Sequence, residues 1–335
     1  MKLLTFIIDG RERLGLFNNN KIYDLEFSAS KIDLKLPSNI LELLDGGEEL
    51  FFKLKNVDEA IKKREIDNDL DEKKIKIIAP VPHPRSCRDG YAFRQHVETA
   101  RRNRGVDMIP EFDKFPVFYF TNHNAIFGEG DMIVEEDHLN KLDFELEAAI
   151  VIGKKGKNIK VEEADSYIFG YTIMNDLSAR YLQSEEMKMN LGPAKGKDFA
   201  TTIGPWLVTQ DELGKYLIKS ENGNKYNLEM KAFHNGKIIS QGNLKDMNWS
   251  FAEIIARASY GVELYPGDVI GSGTVGTGCY LELNGTNALI AKTKSEVFHP
   301  TWLKEGDIIE LEITGLGKLS NKILKSENSI KIFSK

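Results

Sequence analysis

The stretch KLDFELEAAIVIG, residues 141–153, decides how the chain is read. Asp143, Glu145 and Glu147 occupy every second position and run directly into Ala148-Ala149-Ile150-Val151-Ile152. On a strand, alternate side chains share a face, so the three acids point one way and Phe144, Leu146 and Ala148 the other. Alone, this pattern fits a half-buried strand with a solvated face. The continuation, however, is apolar on both faces and so belongs to a central strand. Carboxylates carried toward a buried region are costly unless paired or bound to a cation. Neighbouring carboxylates also repel one another, and a divalent ion removes that repulsion.

Outward from this strand, β signals dominate the chain after residue 80. PVFYF (116–120), YIFGYTIM (167–174), GPWLV (204–208), LEMKAFHNGKII (228–239), DVIGSG (268–273), CYLELNG (279–285) and DIIELEITG (307–315) all read as strands. Asn-Gly pairs at 222–223, 235–236 and 284–285 predict hairpins. Helices are expected at about 90–104, 177–190 and 249–259. Before residue 80, short strands alternate with turns at Gly10 and Asn18–Asn20, Ser38-Asn39 caps a short helix, and a charged helix and loop follow. Pro80, Pro82 and Pro84 punctuate the link. The expectation is a β-rich α+β protein, with a small N-terminal β-rich domain (1–80) and a large C-terminal domain (81–335).

Composition excludes several functions. The 335 residues are 41% hydrophobic and 29% charged, with a net charge of −6 and no basic, aromatic-interleaved stripe, so nucleic acid is not the expected partner. The two cysteines, Cys87 and Cys279, are too few and too distant in sequence for a disulfide framework, which fits a reducing, cytoplasmic setting. No apolar run reaches the roughly 18 residues of a membrane helix. GSGTVG (271–276) matches G-x-G-x-x-G, but the dinucleotide motif needs a helix next and CYLELNG reads as a strand. GPAKGKD (192–198) lacks the phosphate-loop spacing.

Two more acids stand at element junctions. Asp89 precedes the expected helix at 90–104, and Asp176 ends the strand YIFGYTIMN before the next helix. Read singly, each is a helix N-cap. Read together with Glu145 and Glu147, they form an all-oxygen set suited to a hard ion such as Mg²⁺ or Ca²⁺. His96 lies seven residues past Asp89, about two helical turns on, on roughly the same helix side.

In order and spacing, DGYAFRQH (89–96), FPVFYF (115–120), LDFELEAAIVIG, MNDLSAR (174–180), LGPAKGKDFATTIGPWLV (191–208), GSGT (271–274) and YLEL (280–283) together resemble the fumarylacetoacetate hydrolase family, closest to its fumarylacetoacetase-like bacterial members. The resemblance spans about residues 80–320. It implies the family's mixed β-roll or barrel, and a divalent metal (Mg²⁺ or Ca²⁺, with Mn²⁺ as a further candidate) held by Asp89, Glu145, Glu147 and Asp176. It places the catalytic base at His96, with Glu282 as its partner, and a catalytic lysine at Lys197. Tyr91, Tyr119, Gln183 and Thr274 fall at substrate-contact positions, and Lys197 and Thr201 near a second metal position. Asp143 falls outside the implied ligand set and returns to the reading of a solvated strand residue. The family's substrate-binding Arg has no counterpart at the matching step, and Met187 stands where the animal enzymes carry Tyr.

The activity so implied is hydrolysis of a C–C bond in a β-diketo acid, fumarylacetoacetate or a related acylpyruvate, as in tyrosine and homogentisate breakdown, by a homodimer. The alternatives are a 2-oxo-acid hydratase or dehydratase, a decarboxylase or an isomerase on the same site, or a non-catalytic module stabilised by Ca²⁺.

Overall fold

A computed structural model describes residues 1–332. Its main sheet is mixed and open. Elements named below are β1 (Lys2–Ile8), β2 (Arg11–Asn18), β3 (Lys21–Asp24), β4 (Cys87–Gly90), α1 (Arg94–Asn103), β5 (Phe118–Thr121), β6 (Leu146–Ile152), β7 (Ile168–Asp176), α2 (Arg180–Met187), β8 (Thr201–Thr209), β9 (Val269–Gly271) and α3 (Tyr280–Thr293). The strands lie in the order β3-β2-β1-β8-β7-β6-β9-β4-β5. Neighbours along this order are antiparallel except β9 and β4, which run parallel. A five-stranded sheet packs against it, ordered Lys237–Asn243, Glu229–His234, Ile308–Ile313, Gly317–Lys325 and Gly130–Val134. Both sheets have free edges, and no barrel closes among the described residues.

The opening stretch is central because β6 is covered on both faces. Leu146, Ala148, Ile150 and Ile152 enter one apolar core with Met230, Leu311 and Ile313 of the second sheet. Ala149 and Val151 enter another, with Leu43, Leu54 and Val57 of the N-terminal helices. A strand buried on both faces is a continuous apolar run rather than an alternating one. The N-terminal strands continue the same sheet: β1 pairs with β8 through Lys2–Val208 and Leu3–Leu207. Residues 1–80 thus add β1–β3 to the main sheet and cover one of its faces.

Of the expected hairpins, those at 222–223 and 235–236 are present. Asn235 and Gly236 both have positive φ, as a tight two-residue turn requires. Three local expectations are overturned. Asp89 lies inside β4 and caps no helix, since α1 begins only at Arg94. Asp176 ends β7, and α2 begins four residues later. CYLELNG is the start of α3, so Asn284-Gly285 lies within a helix. Its local alternation loses to a cap supplied from elsewhere in the fold. The Asp143 carboxylate accepts hydrogen bonds from the backbone N–H groups of Tyr280 (2.7 Å) and Leu281 (2.9 Å), two donors at a helix start that the preceding Cys279 side chain does not cap.

Candidate active site

The sheet register brings the candidate residues to one rim. Because β6 and β8 begin where β7, β9 and β4 end, Glu147, Thr201, Asp176, Gly271 and Asp89 share that edge. Glu147 pairs with Met174, Asp176 with Thr201, and Asp89 with both Gly271 and Tyr119. Glu145 sits just before β6, its N–H donating to Asn175 Oδ1 at 2.9 Å. One oxygen each of Asp89, Glu145 and Glu147 lies within 4.8 Å of the others, and all three side chains are buried. Asp176 joins them through Lys197, whose Nζ donates to Asp176 Oδ2 at 2.7 Å and also to Glu145.

The glycines of GSGTVG hold carboxylates. A Cβ on Gly271 would stand 2.4 Å from Asp89 Oδ1 and 3.1 Å from Glu147 Oε2. Gly273, at φ +79°, donates its N–H to those same oxygens at 3.2 and 3.1 Å. A dinucleotide pyrophosphate there would meet two acids. The expected exclusion of that motif therefore stands, although a helix does follow it, nine residues on from Gly271.

The electrostatics are lopsided. Burial, followed by the charge of Asp176, pushes Asp89 up to about 7. Burial and Asp89 push Glu147 well above the usual carboxylate range. Burial also works to raise Glu145, but Lys197, Arg180 and His96 outweigh it and hold Glu145 down at about 2. Burial opposes the charge on Lys197, yet Asp176 and Glu145 raise it above an ordinary lysine, so it stays cationic.

This donor set fits a hard divalent cation. It is all oxygen, its acids repel one another, and Asp176 Oδ1 is buried without a hydrogen-bond partner among the described residues. A buried, unpaired acceptor is costly unless something positive meets it.

A second group adjoins it. His96, on α1, is buried with Nδ1 2.8 Å from Glu282 Oε2. The other Glu282 oxygen accepts from the Thr277 N–H at 2.9 Å. Tyr91 meets the His96 ring edge-on at 5.9 Å between centroids. Helix α1 reaches α3 at Gly285, where a Cβ would stand 2.5 Å from the Asn103 side chain. Asn103 Nδ2 also donates to the Glu282 carbonyl at 3.0 Å.

The remaining candidates line the same region. Tyr119 donates its hydroxyl proton to Asp176. The Thr274 hydroxyl donates to Glu147 Oε1 at 3.2 Å, Gln183 Oε1 accepts from Arg180 at 3.0 Å, and Thr201 is buried beside Asp176.

Two residues were misjudged or missed from sequence. Asp143 is fully buried, which corrects the solvated reading: Arg180 Nε donates to it at 2.8 Å, besides the two α3 N–H groups. Arg180 Nη2 also donates to Glu145 Oε1 at 2.7 Å, so one buried guanidinium ties α2 to both acids. Its only sequence signal was its place at the end of MNDLSAR.

This strand-rich fold is shared with known proteins. The model of the fumarylacetoacetate (FAA) hydrolase C-terminal family matches residues 86–324, and the chain belongs to the fumarylacetoacetate hydrolase family. It is 29% identical over 340 residues to the oxaloacetate tautomerase YisK of Bacillus subtilis (strain 168), covering 96% of this chain and 100% of the relative. Among solved structures it resembles a fumarylacetoacetate hydrolase from the psychrophile Exiguobacterium antarcticum, with 25% identity, a TM-score of 0.70, and 97% and 100% of the two chains covered. It shares the fold of a maleylpyruvate hydrolase from Sphingobium sp. SYK-6, solved with manganese(II) and pyruvate, at 19% identity and a TM-score of 0.68, with 98% and 100% covered. Among the described residues no helix is long and apolar enough to cross a membrane.

Proposed function

We propose that the protein enolises a 2-oxo carboxylate activated at C3, of the oxaloacetate class, and interconverts its keto and enol forms. The observation that carries this reading is the buried His96–Glu282 pair beside a carboxylate cluster that fits a cation. The full-length similarity to an oxaloacetate tautomerase supports the choice of reaction and moves it ahead of the hydrolysis expected from sequence.

A divalent cation held by Asp89, Glu145, Glu147 and Asp176 would supply Lewis-acid stabilisation of the charge that develops on the 2-oxo oxygen. The protein's own groups do the rest. Glu282 accepts the His96 Nδ1 proton and so fixes Nε2 as the basic nitrogen. Nε2 takes a proton from C3, Glu282 balances the imidazolium, and the same proton returns to the enolate oxygen. Proton transfer by a positioned base contributes typically about 10²–10⁴-fold. Lys197 stays charged and acts as a fixed positive group beside Glu145 and Asp176 rather than as an acid or base. Tyr91, Tyr119, Gln183 and Thr274 complete the proposed substrate pocket.

The same dyad favours one second reading, because Nε2 can equally take a proton from water, leaving hydroxide to attack a diketo carbonyl carbon. That is the C–C hydrolysis of an acylpyruvate or fumarylacetoacetate. One assay separates the two, using the enol of oxaloacetate, acylpyruvates and fumarylacetoacetate with Mg²⁺, Mn²⁺ and Ca²⁺ in turn. Tautomerisation consumes enol absorbance without releasing any acid or pyruvate. Hydrolysis releases one acid per substrate consumed. A tightly bound Ca²⁺ with no turnover of any of them would sink both and favour a binding module.

A further inference from the structure

We propose that His96, Cys279 and Glu282 form a second cation site, selective for a borderline or soft divalent ion such as Zn²⁺, which silences the enzyme when filled. One ligand atom of each residue lies within 4.8 Å of the other two, and all three side chains are buried. The donors are one nitrogen, one sulfur and one oxygen, the kinds of ligand that bind zinc tetrahedrally, with the fourth position left to water or substrate. The neighbouring cluster offers oxygen alone and suits Mg²⁺ or Ca²⁺. Two adjacent sites thus differ in ligand softness, and a thiolate sorts zinc from magnesium more sharply than geometry does.

The site is built in advance by elements already in place. Cys279 and Glu282 stand three residues apart across the start of α3, and α1 carries His96 to them over Gly285. Burial, followed by the charge of Asp143, pushes the Cys279 thiol well above its ordinary value, so an ion entering the site must displace the thiol proton. His96 Nδ1 and Glu282 Oε2, 2.8 Å apart, share a single proton. A cation replacing it, with Zn–N and Zn–O bonds of about 2.0–2.2 Å and Zn–S of about 2.3 Å, needs the three side chains to shift by a few tenths of an ångström to about an ångström. Filling the site releases the thiol proton and shifts the dyad proton from Nδ1 to Nε2 of His96, and no electron moves. Loss of turnover follows because His96 can no longer accept a proton, a consequence that rests on His96 being the base.

The test is an optical titration of the Mg²⁺-saturated protein with Co²⁺. The expected result is a near-ultraviolet sulfur-to-cobalt charge-transfer band that saturates at one ion per chain and is erased by Zn²⁺. The band is lost in Cys279→Ser and Cys279→Ala and kept in Cys87→Ala, which removes the other buried thiol. Zn²⁺ inhibition should also weaken by about tenfold or more in Cys279→Ser. Circular dichroism shows whether each variant folds, and the near-isosteric serine covers a failure of the alanine. No band in the wild type, or an unchanged band in Cys279→Ser, overturns the site. A band that Zn²⁺ erases without inhibiting turnover leaves the site standing and overturns His96 as the base.

Discussion

At the scale of single residues, the charge on Glu147 is the cost that a cation relieves. Its carboxyl is pushed well above the usual range, so without a cation it holds a proton. Glutamine copies that protonated form. Glu147→Gln is therefore expected to match or exceed the wild type in cation-free thermal stability, and to lose the stabilisation that Mg²⁺ gives the wild type. Calorimetric melts with and without Mg²⁺ check both halves. Asp89 sets the pH dependence. Its pKa rises from 3.8 to about 7 on folding, so the folded form keeps a proton that the unfolded chain has released. That contribution is full below about 4 and is lost as the pH climbs through 7. Melts of cation-free protein should fall across this window, and saturating Mg²⁺ should flatten the slope. Asp143 works differently, since its charge is already met by Arg180. Asp143→Ala leaves a buried guanidinium short of a partner, and urea unfolding should show a loss of about 3–5 kcal/mol.

At the scale of elements, what was legible depended on where the deciding partner lay. The β6 strand and the acids beside it were readable because their signal is local: alternation, then a run apolar on both faces. Glu145, Glu147, Asp89 and Asp176 were picked out by their junction positions and the motifs around them. Asp143 and α3 were not, because each explains the other across 137 residues of sequence. The alternation in YLEL was real, but a cap from a distant strand outweighed it. Arg180 carries no local signal of its role, because its partners, Asp143 and Glu145, lie 37 and 35 residues away. Gly285 looked like a turn and instead marks the crossing of α1 over α3. Gly285→Ala should gain about 1 kcal/mol of helix propensity. It should still lower kcat, because Asn103, and with it His96, must move off Glu282. Steady-state kinetics beside a Mg²⁺ titration would show kcat falling with cation affinity unchanged. An unaltered kcat would mean that the close approach is incidental.

At the scale of the whole molecule, an antiparallel order interrupted by the parallel β9–β4 pair turns six strand ends toward one rim. No single stretch of sequence contains the site; the topology assembles it from residues 89 to 282. Burial makes that rim electrostatically costly, and binding at the rim should stabilise the entire fold. At about 100 times its Kd, Mg²⁺ should add about 2.7 kcal/mol to unfolding stability, and chelation should remove it. Turnover depends on His96 acting beside that cluster. The most direct measurement is the decay of oxaloacetate enol absorbance with Mg²⁺ present, comparing wild type with His96→Ala at equal Mg²⁺ occupancy. Fast decay is expected in the wild type, and in the variant a rate lower by about 10²-fold or more with Mg²⁺ still bound. Equal decay in the two proteins would contradict the role of His96.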